Sequence, residues 1–265
     1  MAVNAPILDQ TVNDVDLALA RATLYSALAL GFRSPTEETL KRLGSKDAME
    51  ALSDAARVLD ENSAVCSAIH DLFVRGQSLA TLSASYASFF GHTARGRVSP
   101  YETEYGAAAL FQQPHDLGDL NGFYLAFGLK VNADEHERAD HISCECEFLS
   151  FLALKEAYAL EKGDIAMLEE VHKATRLILQ DHLARFVPAF ARRLGSEDAG
   201  GFYGALGNFC LRFVTQECRR LDVPLGLESL GLRAATDDGV PMACGDGRDC
   251  VAMPGAFNPD AEEYS

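Results

Sequence analysis

The sequence predicts an all-α fold, a single helical bundle followed by an irregular tail, and three observations predict it. Apolar residues recur at helical spacing from Asp14 to Leu221, helix start and stop residues punctuate those runs at short intervals, and no stretch alternates with the period of two that a half-buried strand needs. With 265 residues, 48% of them hydrophobic, the chain can bury one large core. Short loops make antiparallel neighbours the expected arrangement.

Each element has a local reason. Asn13 or Asp14 can cap a segment in which Leu17, Ala20, Leu24, Ala27 and Leu28 share a face, ending near Gly31. Ser34, Pro35, Thr36 and Glu37 read as the next start: Ser34 as N-cap, Pro35 in the first helical position, Glu37 completing a capping box, with Gly44 as the stop. Amphipathic stretches follow at about 47–60, 65–75 and 79–90, closed by Gly76 and Gly91. Residues 92–106 break the periodicity with Arg95, Gly96, Arg97, Ser99 and Pro100, and read as a surface loop carrying Tyr101, Glu102, Glu104 and Tyr105. A helix resumes at about 116 and ends at Gly128; after a polar linker, 130–138, comes the longest periodic run, about 140–162, and then helices near 164–194 and 198–221. These segments make one domain, 14–231. From 232 to 265 Gly and Pro recur, and Asp237, Asp238, Asp246, Asp249, Asp260, Glu262 and Glu263 face only Arg233 and Arg248, the composition of an irregular tail.

Charge and cysteine usage narrow the function. A formal net charge of −16 and a pI near 4.8 disfavour nucleic acid and anionic lipid and favour a cationic partner. No apolar run reaches the roughly 18 residues of a membrane span, and Met1–Asn13 lacks the charged and apolar regions of an export signal. Seven cysteines (Cys66, Cys144, Cys146, Cys210, Cys218, Cys244, Cys250) form an odd set without a CxxC pair, which fits a reducing compartment, the cytoplasm.

Catalytic signatures are missing. There is no GxxxxGK[ST] loop, GxGxxG, HExxH or GxSxG elbow, so the chain is expected to be no enzyme and to hold no cofactor or metal. Cys244 and Cys250 supply half of a tetrahedral site. Glu169 and His172, at i and i+3, supply one pair where a di-iron bundle needs two. A metal-dependent helical-bundle oxidoreductase is therefore the first rival reading, and a helical scaffold without ligand specificity is the second.

The helix beginning at Ala139, Asp140 and His141 carries a distinctive pattern. Asp140, Cys144, Glu147 and Phe151 fall along one side, and His141, Glu145, Phe148 and Leu152 along the adjacent one, so each stripe runs from polar to apolar. Asp140 reads as an N-cap, which does not exclude a binding role. His141, in the first turn, is expected to be neutral. Phe123, Tyr124 and Phe127, spaced by three and four, read as core or as contact surface.

Three segments, in order and spacing, resemble the TorD/DmsD/NarJ family of molybdoenzyme maturation chaperones: Ser99-Pro100-Tyr101-Glu102-Thr103-Glu104-Tyr105-Gly106; Asp119-Leu120-Asn121-Gly122-Phe123-Tyr124-Leu125-Ala126-Phe127-Gly128-Leu129; and Glu137-Arg138-Ala139-Asp140-His141-Ile142 with Glu147-Phe148-Leu149. His182-Leu183-Ala184-Arg185-Phe186-Val187-Pro188-Ala189-Phe190 is similar to that family's later helix. The wording looks closest to members that serve dimethylsulfide, ethylbenzene, selenate or chlorate-type enzymes. Where the family commonly has Pro before the Asp-His pair, this chain has Ala139.

The resemblance implies a TorD-like all-α chaperone that binds the catalytic subunit of a bis-molybdopterin guanine dinucleotide oxidoreductase, often through its twin-arginine leader, until the cofactor is loaded. A receptor for two guanidinium groups beside an apolar stretch needs carboxylates at the mouth of an apolar groove. Glu102, Glu104 and Asp140 are the candidates for charged contacts, with Glu147 further along the same stripe. Tyr101, Phe123 and Tyr124 are the candidates for apolar ones. Asp140 and His141 are the expected partner-facing centre.

Overall fold

Helices α1 (Ala5–Gly31) and α7 (Ile142–Lys162) pack against each other as the spine of the bundle. Small residues let them approach: Ala18, Ala22 and Ala29 on α1 and Ala153 and Ala157 on α7 are buried, and the Ser150 hydroxyl donates to the Ala22 carbonyl at 2.9 Å. The computed structural model describes residues 5–60, 64–75, 78–91, 96–106, 112–131 and 138–233, with backbone alone for 5–13 and 112. They belong to one compact unit that ends at Arg233. Gly76, the Cys244 and Cys250 pair and the tail beyond Arg233 lie outside the described residues.

Around this spine stand α2 (Glu37–Gly44), α3 (Lys46–Leu59), α4 (Ala64–Val74), α5 (Leu79–Phe89), α6 (Gln112–Ala126), α8 (Ile165–Ile178), α9 (Ala184–Glu197) and α10 (Phe202–Leu221). α3 packs on α1, α8 on α7, and α10 on both α9 and α4. Among the described residues there is no strand, only two isolated bridges. Edge-on aromatic pairs join the helices, Phe32 to Phe190 at 5.3 Å and Phe90 to Tyr203 at 5.3 Å, in the geometry that aromatic rings favour in a core. Among the described residues no helix is long and apolar enough to cross a membrane.

Local chemistry sets the ends, sometimes differently from expectation. The α2 cap is Thr36 rather than Ser34; its hydroxyl accepts from the Thr39 amide, and Thr39 returns the bond, so Pro35 precedes the cap and Glu37 takes no part in the box. Ser and Thr are both good caps two positions apart, and sequence alone does not rank them. Gly163 ends α7 at φ +65°, which glycine adopts without strain.

The expected single helix at 164–194 is three pieces. A wide π-turn, Leu179–Leu183, separates α8 from α9, and Pro188 lies inside α9. Proline has no N–H for the carbonyl four residues back, that of Ala184. The Gly226 amide fills this vacancy at 2.9 Å. Only glycine fits there, because a Cβ would stand 2.0 Å from the Arg185 carbonyl oxygen.

Candidate functional site

The segment 96–106, expected on the surface, runs through the interior: Val98, Ser99, Glu102, Thr103 and Tyr105 are all buried. Its backbone is anchored on both sides. Ile142 N–H donates to Pro100 and Glu102 N–H to Asp140, both at 2.9 Å, beside a bridge between Tyr101 and His141. On the other flank Gly106 N–H donates to Gly231 at 2.9 Å and Arg233 N–H to Glu104 at 2.8 Å. Gly96 makes the entry possible, since a Cβ there would stand 2.2 Å from the Phe90 carbonyl oxygen.

Asp140 is the centre of this crossing. Its side chain is fully buried and accepts from the Thr103 amide at 3.2 Å, the Thr103 hydroxyl at 2.7 Å, and Arg138 Nε and Nη2 at 2.9 and 2.7 Å. The Arg138 guanidinium also donates to Glu104 at 3.3 Å and to the Thr103 hydroxyl at 2.6 Å, and its carbon lies 4.5 Å from the centre of the Tyr101 ring. A planar fork over a carboxylate with an aromatic face beneath it is the arrangement that a guanidinium fills and an ammonium does not. Although burial works against its charge, Asp140 and then Glu104 raise the Arg138 pKa.

Asp140 is therefore not the cap of α7. His141 is: its Nδ1 accepts from the Ser143 amide at 3.2 Å, and the ring is fully buried. Burial lowers its pKa to about 4, so the imidazole is neutral, as expected, although it precedes the first turn.

A second buried chain runs alongside. Glu102 meets His182 Nδ1 at 2.9 Å and Arg185 at 3.5 Å, while His182 Nε2 meets Asp119 at 3.3 Å. Burial pushes Glu102 up. His182 is also raised: burial opposes its charge, but the Glu102 hydrogen bond and charge and then Asp119 outweigh that. Glu145, fully buried, has no hydrogen-bond partner at either oxygen among the described residues, and burial, then Glu102 and Asp140, drives its pKa well above the carboxylate range.

The structure brings together five of the eight expected residues, Tyr101, Glu102, Glu104, Asp140 and His141, with two more close behind. The Tyr124 hydroxyl donates to the Ala139 carbonyl at 2.8 Å from a buried ring, and Phe123 stands edge-on to His182 at 6.0 Å. Glu147 stays apart, exposed and paired with Arg33. It shares a face of α7 with Ser150 and Leu154, which line an open groove of about 560 Å³ between α1, α2, α3 and α7, walled by Leu19, Leu30, Leu43 and Leu52. The expected stripe from Asp140 and His141 into a groove is not continuous: those two precede the helix and Glu145 points inward.

Arg138, Thr103, Asp119, His182, Arg185 and Glu145 complete the network without having been assigned a role from sequence. Arg138 and His182 stand inside the quoted motifs, which was the available signal. The Glu169 and His172 pair does not form a site: His172 instead meets Glu156 at 3.0 Å, which also holds buried Arg21 at 2.8 Å. Among the described residues no group of three His, Cys, Asp or Glu is arranged to hold a metal.

Residues 46–192 match the family described as the nitrate reductase delta subunit. The chaperone protein TorD of Vibrio cholerae is 28% identical over 208 residues, covering 76% of this chain and 92% of that one. The selenate reductase assembly chaperone protein of Thauera selenatis is 36% identical over 126 residues, 45% of this chain and 60% of its own. The chlorate reductase assembly chaperone protein of Ideonella dechloratans is 36% identical over 149 residues, 54% and 68% of the two chains.

Proposed function

Because the chain belongs to the TorD/NarJ family of chaperones, we propose that it assembles a molybdenum reductase by binding its catalytic subunit in the cytoplasm before the cofactor is in place. The finer part of the proposal is that the subunit's twin-arginine leader is one of the contacts. What carries it is the Asp140 seat: a carboxylate, a hydroxyl, a second carboxylate and an aromatic face arranged around one guanidinium in a chain of net charge −16.

The physical division of labour follows from the two surfaces. The acidic field draws a cationic segment in, and the planar acceptors select arginine over lysine. A separate apolar stretch of the partner can lie in the groove between α1, α2, α3 and α7. The buried Glu102 and His182 pair holds the 3₁₀ turn Glu102–Glu104 that carries Thr103 and Glu104. It positions the seat and does not itself meet the partner.

The test is co-expression of the chain with a molybdenum reductase catalytic subunit from the same genome, leader intact or removed, followed by affinity capture. Capture of the subunit in both forms, stronger with the leader, is expected. Failure to capture either form would overturn the assembly reading.

A further inference from the structure

The Asp140 seat is already full, and its occupant belongs to the chain itself. Arg138 reaches the carboxylate from two residues away, outside any helix, and its side chain is 31% exposed while that of Asp140 is 0% exposed. Two carboxylates, Asp140 and Glu104, share this one guanidinium. Glu102, a further buried carboxylate of the same segment, is met by His182 and Arg185. The seat therefore keeps an excess negative charge with Arg138 in place.

We propose that Arg138 is a resting occupant of a guanidinium receptor, and that an arginine from a peptide partner enters by displacing it onto the surface. This rests on the assembly reading only in naming the partner as an arginine-bearing leader. Exchange of one guanidinium for another conserves every bond: Nε and Nη2 on Asp140, Nη2 also on the Thr103 hydroxyl, Nη1 on Glu104, and the face on Tyr101. It also explains how a fully buried carboxylate can be a contact without ever being bare in the free protein, where an uncompensated buried charge is strongly unfavourable. Arg138 lowers the apparent affinity by the fraction of time it holds the seat.

Arg138→Gln empties the receptor, and Arg138→Lys keeps a charge without the fork, so it serves if the glutamine variant does not fold. Methylguanidinium should raise the melting temperature of Arg138→Gln full-length protein by several degrees more than it raises wild type, and methylammonium should not. The variant should also bind an arginine-pair leader peptide about tenfold more tightly than wild type does, with no gain for a lysine-pair peptide. No selective response to methylguanidinium, or peptide binding that is unchanged or weaker, makes Arg138 a fixed structural ion pair and overturns displacement. Capture of the catalytic subunit by wild type and variant alike would then still stand for the assembly reading. Rescue by methylguanidinium with tighter peptide binding, but no capture of any reductase subunit, upholds the receptor and removes the reductase as its partner.

Discussion

His182 Nδ1 lies 2.9 Å from the Glu102 carboxylate, with both side chains buried, so the π-turn Leu179–Leu183 is tied to the 3₁₀ turn Glu102–Glu104 eighty residues earlier. The pair fixes the floor beneath Thr103 and Glu104.

Its pH dependence has a definite sign. The pKa of His182 is raised above its ordinary 6.5 despite burial, through Glu102 and then Asp119. The stability it contributes is fully present below the unfolded value and is lost as pH rises through the raised one. His182→Gln is expected to destabilise by about 1–3 kcal/mol at pH 6. The gap to wild type narrows as pH rises, which melting curves between pH 6 and 9 check.

The cap of α7 is His141, where the sequence suggests Asp140. A capping aspartate tolerates asparagine, but Asp140 accepts from Thr103 and twice from Arg138, and an amide would set a donor against one of them. Asp140→Asn is expected to cost about 2 kcal/mol, discounted because Arg138 is partly exposed. His141→Asn keeps a cap and loses the titration: wild type weakens relative to it as pH falls from 6.5 towards about 4, where a buried neutral imidazole must charge. Chemical denaturation of both variants at pH 5 and 7 separates these effects.

Glu145 offers the opposite case, a buried carboxyl with no hydrogen-bond partner among the described residues. Since its pKa is raised by burial and by Glu102 and Asp140, its contribution is lost as pH rises through that value. Glu145→Met should stabilise by about 1–3 kcal/mol, increasingly so at alkaline pH. A lower melting temperature at pH 8 would show that the carboxyl is held by something that these contacts do not include.

Gly226 and Pro188 form a unit in which one supplies the N–H that the other lacks, through the Ala184 carbonyl at 2.9 Å. Gly226→Ala places a Cβ against the Arg185 carbonyl and breaks that contact. A loss of about 2 kcal/mol or more is expected in thermal unfolding, because the clash is with backbone, which cannot step aside.

Much of this was legible in the sequence. Helix periodicity and the stop residues Gly91 and Gly128 located most helix ends to within a few residues, and both glycines have the positive φ that ends a run, whereas α1 begins at Ala5, ahead of the Asn13 or Asp14 cap that its sequence suggests. The motifs between Ser99 and His182 delimit the network. What the local pattern hid was burial. Segment 96–106 is polar enough to read as surface, and its interior position depends on partners 37 to 83 residues away, Asp140, His182 and Arg185. The π-turn was hidden as well, because one wide turn barely disturbs the apolar period. By sequence His141 reads as a first-turn residue, because histidine is not among the favoured caps.

The central claim is that a partner's arginine is read at the Asp140 seat. Calorimetric titration of the wild-type chain with the leader peptide of a co-encoded molybdenum reductase, its arginine pair intact or replaced by lysine, tests it most directly. The arginine peptide is expected to bind about tenfold more tightly, with an affinity that falls as salt rises, because a planar fork on Asp140 and Glu104 distinguishes the two cations where net charge does not. Equal affinity for the two peptides would contradict it.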